Sequence, residues 1–190
     1  HKASVRDRLV HHAVHRQLYS FFDKIFIADS YSCRKRKGMH KALNRFRTFG
    51  RRVSQNHTKT TWVLKCDVRK FFASIDHTIL MQTIRQYISD ADIKWLLSEV
   101  IGSFHSTRRG VGLPLGNLTS QLLVNIYMNE FDQFVKYRLK ARCYIRYADD
   151  FVILSQDRTW FESVIPTIRN FLWNELRLEL HPDKVSISTL

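Results

Sequence analysis

Apolar residues recur along this chain in two rhythms. A spacing near 3.6 predicts helices, and alternation or short apolar runs between turn residues predict strands. The first helix opens at Ser4-Val5-Arg6-Asp7, a capping-box pattern, with Val5, Leu9, Ala13, Leu18 and Phe21-Phe22 at roughly helical spacing. A basic loop over residues 28–41 leads into a second helix with Met39, Leu43, Phe46, Phe49 and Val53 on its apolar face. Residues 61–67 read as a strand that ends in an acid. Two helices follow, one capped by Asp76 with Ile79, Leu80, Ile84 and Tyr87 inward, the other capped by Asp90 with Ile93, Leu96, Leu97, Val100 and Ile101 inward. Residues 112–117 stack glycine and proline and cannot be helical. The long helix behind them is capped by either Asn117 or Thr119 and carries the stripe Leu118, Leu122, Ile126, Phe131 and Phe134. Its polar strip, Gln121, Asn125 and Asn129, is expected to face substrate, because a glycine-containing loop feeds the helix N-terminus where anions are favoured.

Residues 143–147 and 151–154 are short β-prone runs on either side of Ala148-Asp149-Asp150, which predicts a tight hairpin with acids at its tip. Trp160, Phe161, Val164, Ile165, Ile168, Phe171 and Leu172 mark a last helix that Pro166 is expected to kink or split. Residues 176–180 alternate as a strand, His181-Pro182-Asp183 turns, and residues 185–188 return. From residue 61 the order is strand, helices, strand, strand, helix, strand. This is the βαββαβ order of an α+β, ferredoxin-like antiparallel sheet. Asp67 and the Asp149-Asp150 turn then fall at the ends of neighbouring central strands.

Composition narrows the partners. The chain has 190 residues, with 31 Lys and Arg against 17 acids, a formal net charge of +14, and 13% aromatic residues. That balance describes a folded basic domain whose natural partner is a polyanion, and nucleic acid fits better than a membrane. No apolar run approaches the length of a bilayer span, and no signal-peptide pattern opens the chain. The three cysteines, Cys33, Cys66 and Cys143, lack metal-ligand spacing and read as reduced core or near-site residues in a cytoplasmic protein. His11 and His15 stand four apart on the first helix without a third ligand, so packed or solvated histidines are the better reading. The nearly acid-free stretch from Arg34 to Arg52, Lys41 included, suits phosphate contacts.

Paired acids beside an apolar hairpin repel and protonate unless a cation binds them. An acidic turn would look similar. If Asp67, Asp149 and Asp150 converge, they suit two magnesium ions, with manganese as a substitute, in phosphoryl transfer. Asp149 is expected to be a closer ligand than Asp150, because adjacent strand residues point to opposite faces. Asp76 reads as a structural cap. Phe72, five residues beyond Asp67, is either a core residue or a rigid aromatic that excludes a 2′-hydroxyl. Lys184 is either solvated or placed to neutralise or protonate a pyrophosphate.

Taken together, these residues resemble the reverse transcriptases of the bacterial group II intron-like branch. The resemblance rests on Arg6-Asp7-Arg8, on Ser30-Tyr31 through Gly38, and on Asp67 with Phe71-Phe72 and Ile75-Asp76. It continues through residues 113–121, Asn125-Ile126-Tyr127, Tyr147-Ala148-Asp149-Asp150 and Lys184. It implies a right-hand polymerase palm with part of the fingers. On that reading residues 1–60 are partial fingers and residues 61–190 are palm with inserted fingers helices at about 77–110, while a thumb is absent. It further implies RNA-templated DNA synthesis, metal contacts at Asp67, Val68, Asp149 and Asp150, catalytic roles for the three aspartates and Lys184, and Phe72 as sugar gate. Substrate contacts are expected from Phe72, Leu115, Gly116, Gln121, Arg34 and Lys41. The partners expected are an RNA template, a DNA or RNA primer and deoxynucleoside triphosphates.

Most of the branch carries Gln-Gly followed by Ser-Pro, whereas this chain has Leu115-Gly116 followed by Ser120-Gln121. Leu and Gln at those positions are similar to the reverse transcriptases of diversity-generating retroelements, which copy with errors at adenine beside a small basic accessory protein. A group II intron or retron type polymerase, an RNA-binding palm without synthesis, and a two-metal nuclease are the competing readings. The nuclease has no need of an aromatic sugar gate.

Overall fold

The computed structural model describes residues 4–190, which group into two compact units that interleave along the chain. One, the helical unit, is formed by the chain up to Phe26 together with Lys70–Glu130; the other, the sheet unit, by Ile27–Arg69 and Phe131–Leu190.

The helical unit begins with α1, Val5–Phe22, whose capping box is present: Ser4 Oγ accepts from the Asp7 N–H at 3.1 Å, and Asp7 Oδ2 accepts from the Ser4 N–H at 3.0 Å. Its buried stripe is Val14, Leu18, Tyr19 and Phe22. Val5, Leu9 and Phe21 are exposed, which corrects the expected stripe: only the second half of the helix, with Val14, Leu18 and Phe22 in four-residue register, reaches the core. His15 stacks on Tyr19, and His11 Nδ1 lies 2.9 Å from Thr119 Oγ1, so these histidines pack. A short α3, Phe71–Ser74, precedes α4, His77–Tyr87, and α5, Ala91–Gly102. Asp76 Oδ1 caps α4 by accepting from the N–H groups of Thr78 and Ile79, and Asp90 Oδ1 caps α5 by accepting from Ile93 N–H. The ring of Phe22 meets Tyr87 edge-on at 5.7 Å, fastening α1 to α4.

The long helix α6, Leu118–Gln133, is buried at every residue from Leu122 to Asn129. A helix apolar on nearly all sides is a core helix, and its few polar groups must bond inside the protein. Asn125 Nδ2 donates to the Gln121 carbonyl at 3.1 Å, and Asn129 hydrogen-bonds with Tyr87. The strip expected to face substrate is thus interior at Asn125 and Asn129, and only Gln121 is half-buried.

The sheet unit is built on β1, Trp62–Asp67; β2, Tyr144–Tyr147; β3, Asp150–Ser155; and β4, Ser186–Thr189. The strands lie in the order β2-β3-β1-β4, with every pairing antiparallel. This is the split βαβ order expected from sequence, with one correction. Residues 176–180 form no ladder; only Leu180 bridges to Val68, and the fourth strand is Ser186–Thr189. The alternation in that stretch instead buries Leu176, Leu178 and Leu180 below the end of α7, Arg158–Leu176.

Alternate residues line two cores. On one face Val63, Ile145 and Leu154 pack with Tyr31, Ala42 and Phe49, bringing α2, Met39–Val53, onto the sheet. Met39 and Leu43, expected on this helix's apolar face, are exposed. On the other face Tyr144 and Phe151 meet Phe131 from the end of α6, whose ring lies 4.9 Å from Phe151, and Phe171 of α7 stacks on Phe134 at 4.0 Å. Helix α7 runs unbroken through Pro166, contrary to the expected split. Pro166 and Glu162, whose carbonyl loses its helical partner, are both exposed, so the freed group lies on the solvent side of the helix. Cys66 and Cys143 are buried, and burial pushes the Cys66 thiol up to about 12; Cys33 is exposed, which corrects its core reading.

Candidate active site

The acids converge where β1 meets the hairpin. In the β1–β3 register Asp67 stands directly opposite Asp150, and the Val68 N–H donates to the Asp149 carbonyl at 3.3 Å just beyond that pair. Facing residues of an antiparallel pair have Cβ atoms about 4.5–5.5 Å apart. Tyr147 pairs with Asp150 across the β2–β3 hairpin, which leaves Ala148-Asp149 as a two-residue loop. Ala148 has φ of +56°, the left-handed region that such tight loops require and that costs a residue with a Cβ about 1–2 kcal/mol.

Asp67 is buried, Asp149 is half-buried and Asp150 is exposed. Burial, and then the charges of Asp67 and Asp150, raise the Asp149 carboxyl above its ordinary value; Lys184 acts in the opposite sense. Lys184 Nζ lies 3.2 Å from Asp67 Oδ2 in a half-exposed ion pair, at the end of a 3-10 turn, Pro182–Lys184. Val68 has a buried side chain, so only its main-chain carbonyl is a conceivable cation ligand. Among the described residues no three His, Cys, Asp or Glu side chains already close around one point. The donor set nevertheless suits a divalent cation with oxygen preference. All three side chains are carboxylates, and the mutual repulsion that raises Asp149 is what a bound cation would relieve.

The basic segment is partly committed to the fold. Arg34 Nη1 donates to the carbonyls of Ile27 and Ser30 at 2.7 and 3.1 Å, and Lys41 Nζ donates to the Arg36 carbonyl at 2.6 Å. Arg45 pairs with buried Asp29 at 2.8 Å, and Lys136 reaches the same carboxylate at 3.4 Å. Arg34 thus staples its own loop through Nη1, and its side chain is half-buried. Arg36, Arg47, Arg51 and Arg52 are the exposed arginines of this stretch.

In the helical unit, Phe72 is half-buried with its ring edge-on to Phe71 at 5.5 Å. Main-chain bonds tie the following loop to it: Gly112 N–H donates to the Ile75 carbonyl and Leu113 N–H to that of Phe72, each at 2.8 Å. His77 Nε2 lies 2.6 Å from the Gly112 carbonyl. Gly112 has φ of +104°, and a Cβ there would come within 2.8 Å of Ser106 Cβ. Beyond this anchor the loop opens, with Leu115 76% exposed and Gly116 exposed in a place where an added Cβ would meet nothing within 4 Å.

The chain matches the family model for reverse transcriptase (RNA-dependent DNA polymerase) over residues 2–189. It belongs to the reverse transcriptase family. It is 30% identical to Protein YkfC of Escherichia coli over 97% of this chain and 58% of that protein. It is 28% identical to the group II intron-encoded protein LtrA of Lactococcus lactis over 68% of this chain and 21% of that protein. This reverse transcriptase chain thus spans a little over half of one relative and about a fifth of the other. Among solved structures, telomerase from Candida tropicalis in complex with a fragment of telomeric RNA aligns with a TM-score of 0.72 over 93% of this chain and 33% of that one, at 13% identity. Apo telomerase from the same organism aligns with a TM-score of 0.66 over 96% of this chain and 36% of that one. At such identity the likeness is one of fold, that of a polymerase palm.

Sequence reasoning passed over Arg146, which is fully buried and hydrogen-bonded to buried Asp132. The signal was present: a lone cation in the run Tyr144-Ile145-Arg146-Tyr147, at a position whose alternate neighbours face the core.

Proposed function

We propose that this chain is the palm-bearing part of an RNA-directed DNA polymerase that adds deoxynucleotides to a primer paired with an RNA template. The observation that carries the reading is the register of Asp67 opposite Asp150, with the Asp149 carbonyl bonded to the residue after Asp67. Carboxylates from distant stretches of sequence thereby stand together at one end of the two central strands. Asp67, Asp149 and Asp150, with the Val68 carbonyl, are the groups that would hold divalent magnesium or manganese. When bound, two such ions supply charge neutralisation for the attacking hydroxyl and the leaving pyrophosphate. Lys184, on the Asp67 carboxylate, is positioned to offset negative charge or hand a proton to a departing pyrophosphate. The exposed arginines of α2 offer phosphate contacts, so affinity for RNA falls steeply with salt. Phe72, a ring fixed against Phe71, has the rigidity that excluding a 2′-hydroxyl requires.

Primer extension on an RNA template with magnesium and deoxynucleotides, using the full-length protein, tests this reading. Extension that disappears in Asp149→Ala is the expected result. RNA binding without extension would favour an RNA-binding palm instead.

Within the family we assign the chain to the error-prone reverse transcriptases of diversity-generating retroelements, on Leu115 and Gln121. Leucine in place of an amide removes a hydrogen-bonding group, and its 76% exposure leaves it with little to pack on in the protein itself. A small basic accessory protein belongs to this assignment. Misincorporation opposite adenine, compared between wild type and Leu115→Gln, tests it; an unchanged error spectrum returns the chain to the group II intron or retron type.

A further inference from the structure

Arg146 is the largest fully buried side chain among the described residues, and its guanidinium is used in three directions. Nε and Nη2 donate to the two oxygens of Asp132, each at 2.8 Å. Nη2 also donates to Ser30 Oγ at 3.1 Å. Nη1 donates to the Ala148 carbonyl at 2.9 Å. The Tyr144 hydroxyl completes the set by donating to Asp132 Oδ1 at 2.7 Å. The main chain of the arginine is held as well, since its N–H donates to the Asp29 carbonyl and its carbonyl accepts from the Tyr31 N–H, both at 3.0 Å.

Stability does not explain this arrangement. A buried ion pair repays its desolvation only with good geometry, and well-packed apolar residues of like volume often do as well or better. Net charge at the acidic corner does not explain it either, because Asp132 neutralises the guanidinium. What a guanidinium provides and an apolar residue does not is a planar fork: two donors lock onto a carboxylate while a third points in a fixed direction. Here that direction is the carbonyl of Ala148, the left-handed residue immediately before Asp149-Asp150. The turn is strained and its own ladder ends at the Tyr147–Asp150 pair, so an anchor from beneath fixes the direction in which the acids leave the sheet.

We propose that Arg146 is a positioning residue for the metal-binding turn: clamped by Asp132, Tyr144 and Ser30, it holds the Ala148 carbonyl and so presents Asp149 and Asp150 in the orientation that binds a divalent cation. This rests on the metal-dependent reading of the acids. Arg146 is fully buried and acts only through the turn, by its bond to the Ala148 carbonyl.

The test is manganese(II) binding to the full-length protein, followed by loss of the free-ion paramagnetic resonance signal, with thermal melting alongside. Wild type is expected to bind saturably and Asp149→Ala to lose that site. Arg146→Lys, which keeps the charge but not the fork, is expected to weaken binding by about 10-fold or more. Ser30→Ala and Tyr144→Phe, which each remove one clamp bond and little volume, are expected to weaken it about 2–5-fold on the same scale. Leu172→Ala, a buried truncation in α7, lowers the melting temperature and is expected to leave the binding midpoint within about 2-fold, which separates positioning from general loss of stability. In primer extension the Arg146→Lys loss should fall on kcat, with KM for the nucleotide unchanged. Wild-type midpoints in Arg146→Lys, Ser30→Ala and Tyr144→Phe would overturn the inference, as would an equal loss in Leu172→Ala. If Arg146→Lys does not fold, the two clamp variants decide. A wild type without saturable binding that depends on Asp149 would sink the metal reading itself, and this inference with it.

Discussion

The acidic corner of the sheet unit and the loop ahead of α6 are held in opposite ways. At the corner, Asp67 and Asp150 are fixed by strand register, Asp149 by a main-chain bond to Val68, and the turn between them by a buried arginine. The loop is anchored at its start, by main-chain bonds from Gly112 and Leu113 and by His77 at the Gly112 carbonyl, and then runs out to Leu115 at 76% exposure and an exposed Gly116, where a Cβ would meet nothing within 4 Å. Chemistry that depends on the placement of carboxylates needs the first kind of support, because small misplacements are costly. The base-pair selection proposed for Leu115 tolerates the second, as binding loops on rigid scaffolds commonly do.

The contrast is broken most forcefully beneath the corner. Asp132→Ala leaves the guanidinium of Arg146 buried without its partner and should cost about 3–5 kcal/mol in chemical denaturation. A loss under about 1 kcal/mol would show that the corner is less rigidly built than described. On the other side, Phe72→Ala should raise ribonucleotide incorporation by about 10–100-fold, measured as a ratio of kcat/KM values, while deoxynucleotide incorporation changes less. Lys184→Ala removes a half-exposed ion pair and should cost less than about 1 kcal/mol of stability, so any larger loss in extension rate belongs to the reaction. Smallest is Leu115→Gln, which should move stability by no more than about 0.5 kcal/mol while altering the error spectrum. A large stability change there would mean that the loop is packed rather than open.

Much of this was legible in the chain itself, for local reasons. The caps at Ser4, Asp76 and Asp90 were readable because a cap is settled by its own residue and the next three. The meeting of Asp67 with the hairpin followed from strand order and alternation. What escaped depends on partners far away in sequence. The outward position of Val5 and Leu9, the burial of Asn125 and Asn129, and the passage of α7 through Pro166 are settled by what each helix packs against, not by its own periodicity. Leu176, Leu178 and Leu180 alternate as a strand would, yet only Leu180 finds a bridge, to Val68. Arg146 looked like an interruption in an apolar run, because Asp132 and Ser30, the residues that justify it, lie fourteen and 116 positions away.

The central claim is that acids from β1 and from the hairpin act as one site, and a double-mutant cycle on primer extension measures that directly. Asp67→Ala and Asp149→Ala should each lower the rate on the order of 10³-fold or more, about 4 kcal/mol, and the double variant should be no slower than the worse single one, as for residues that act as a unit. Losses that multiply in the double variant, or a single variant that extends like wild type, would contradict it.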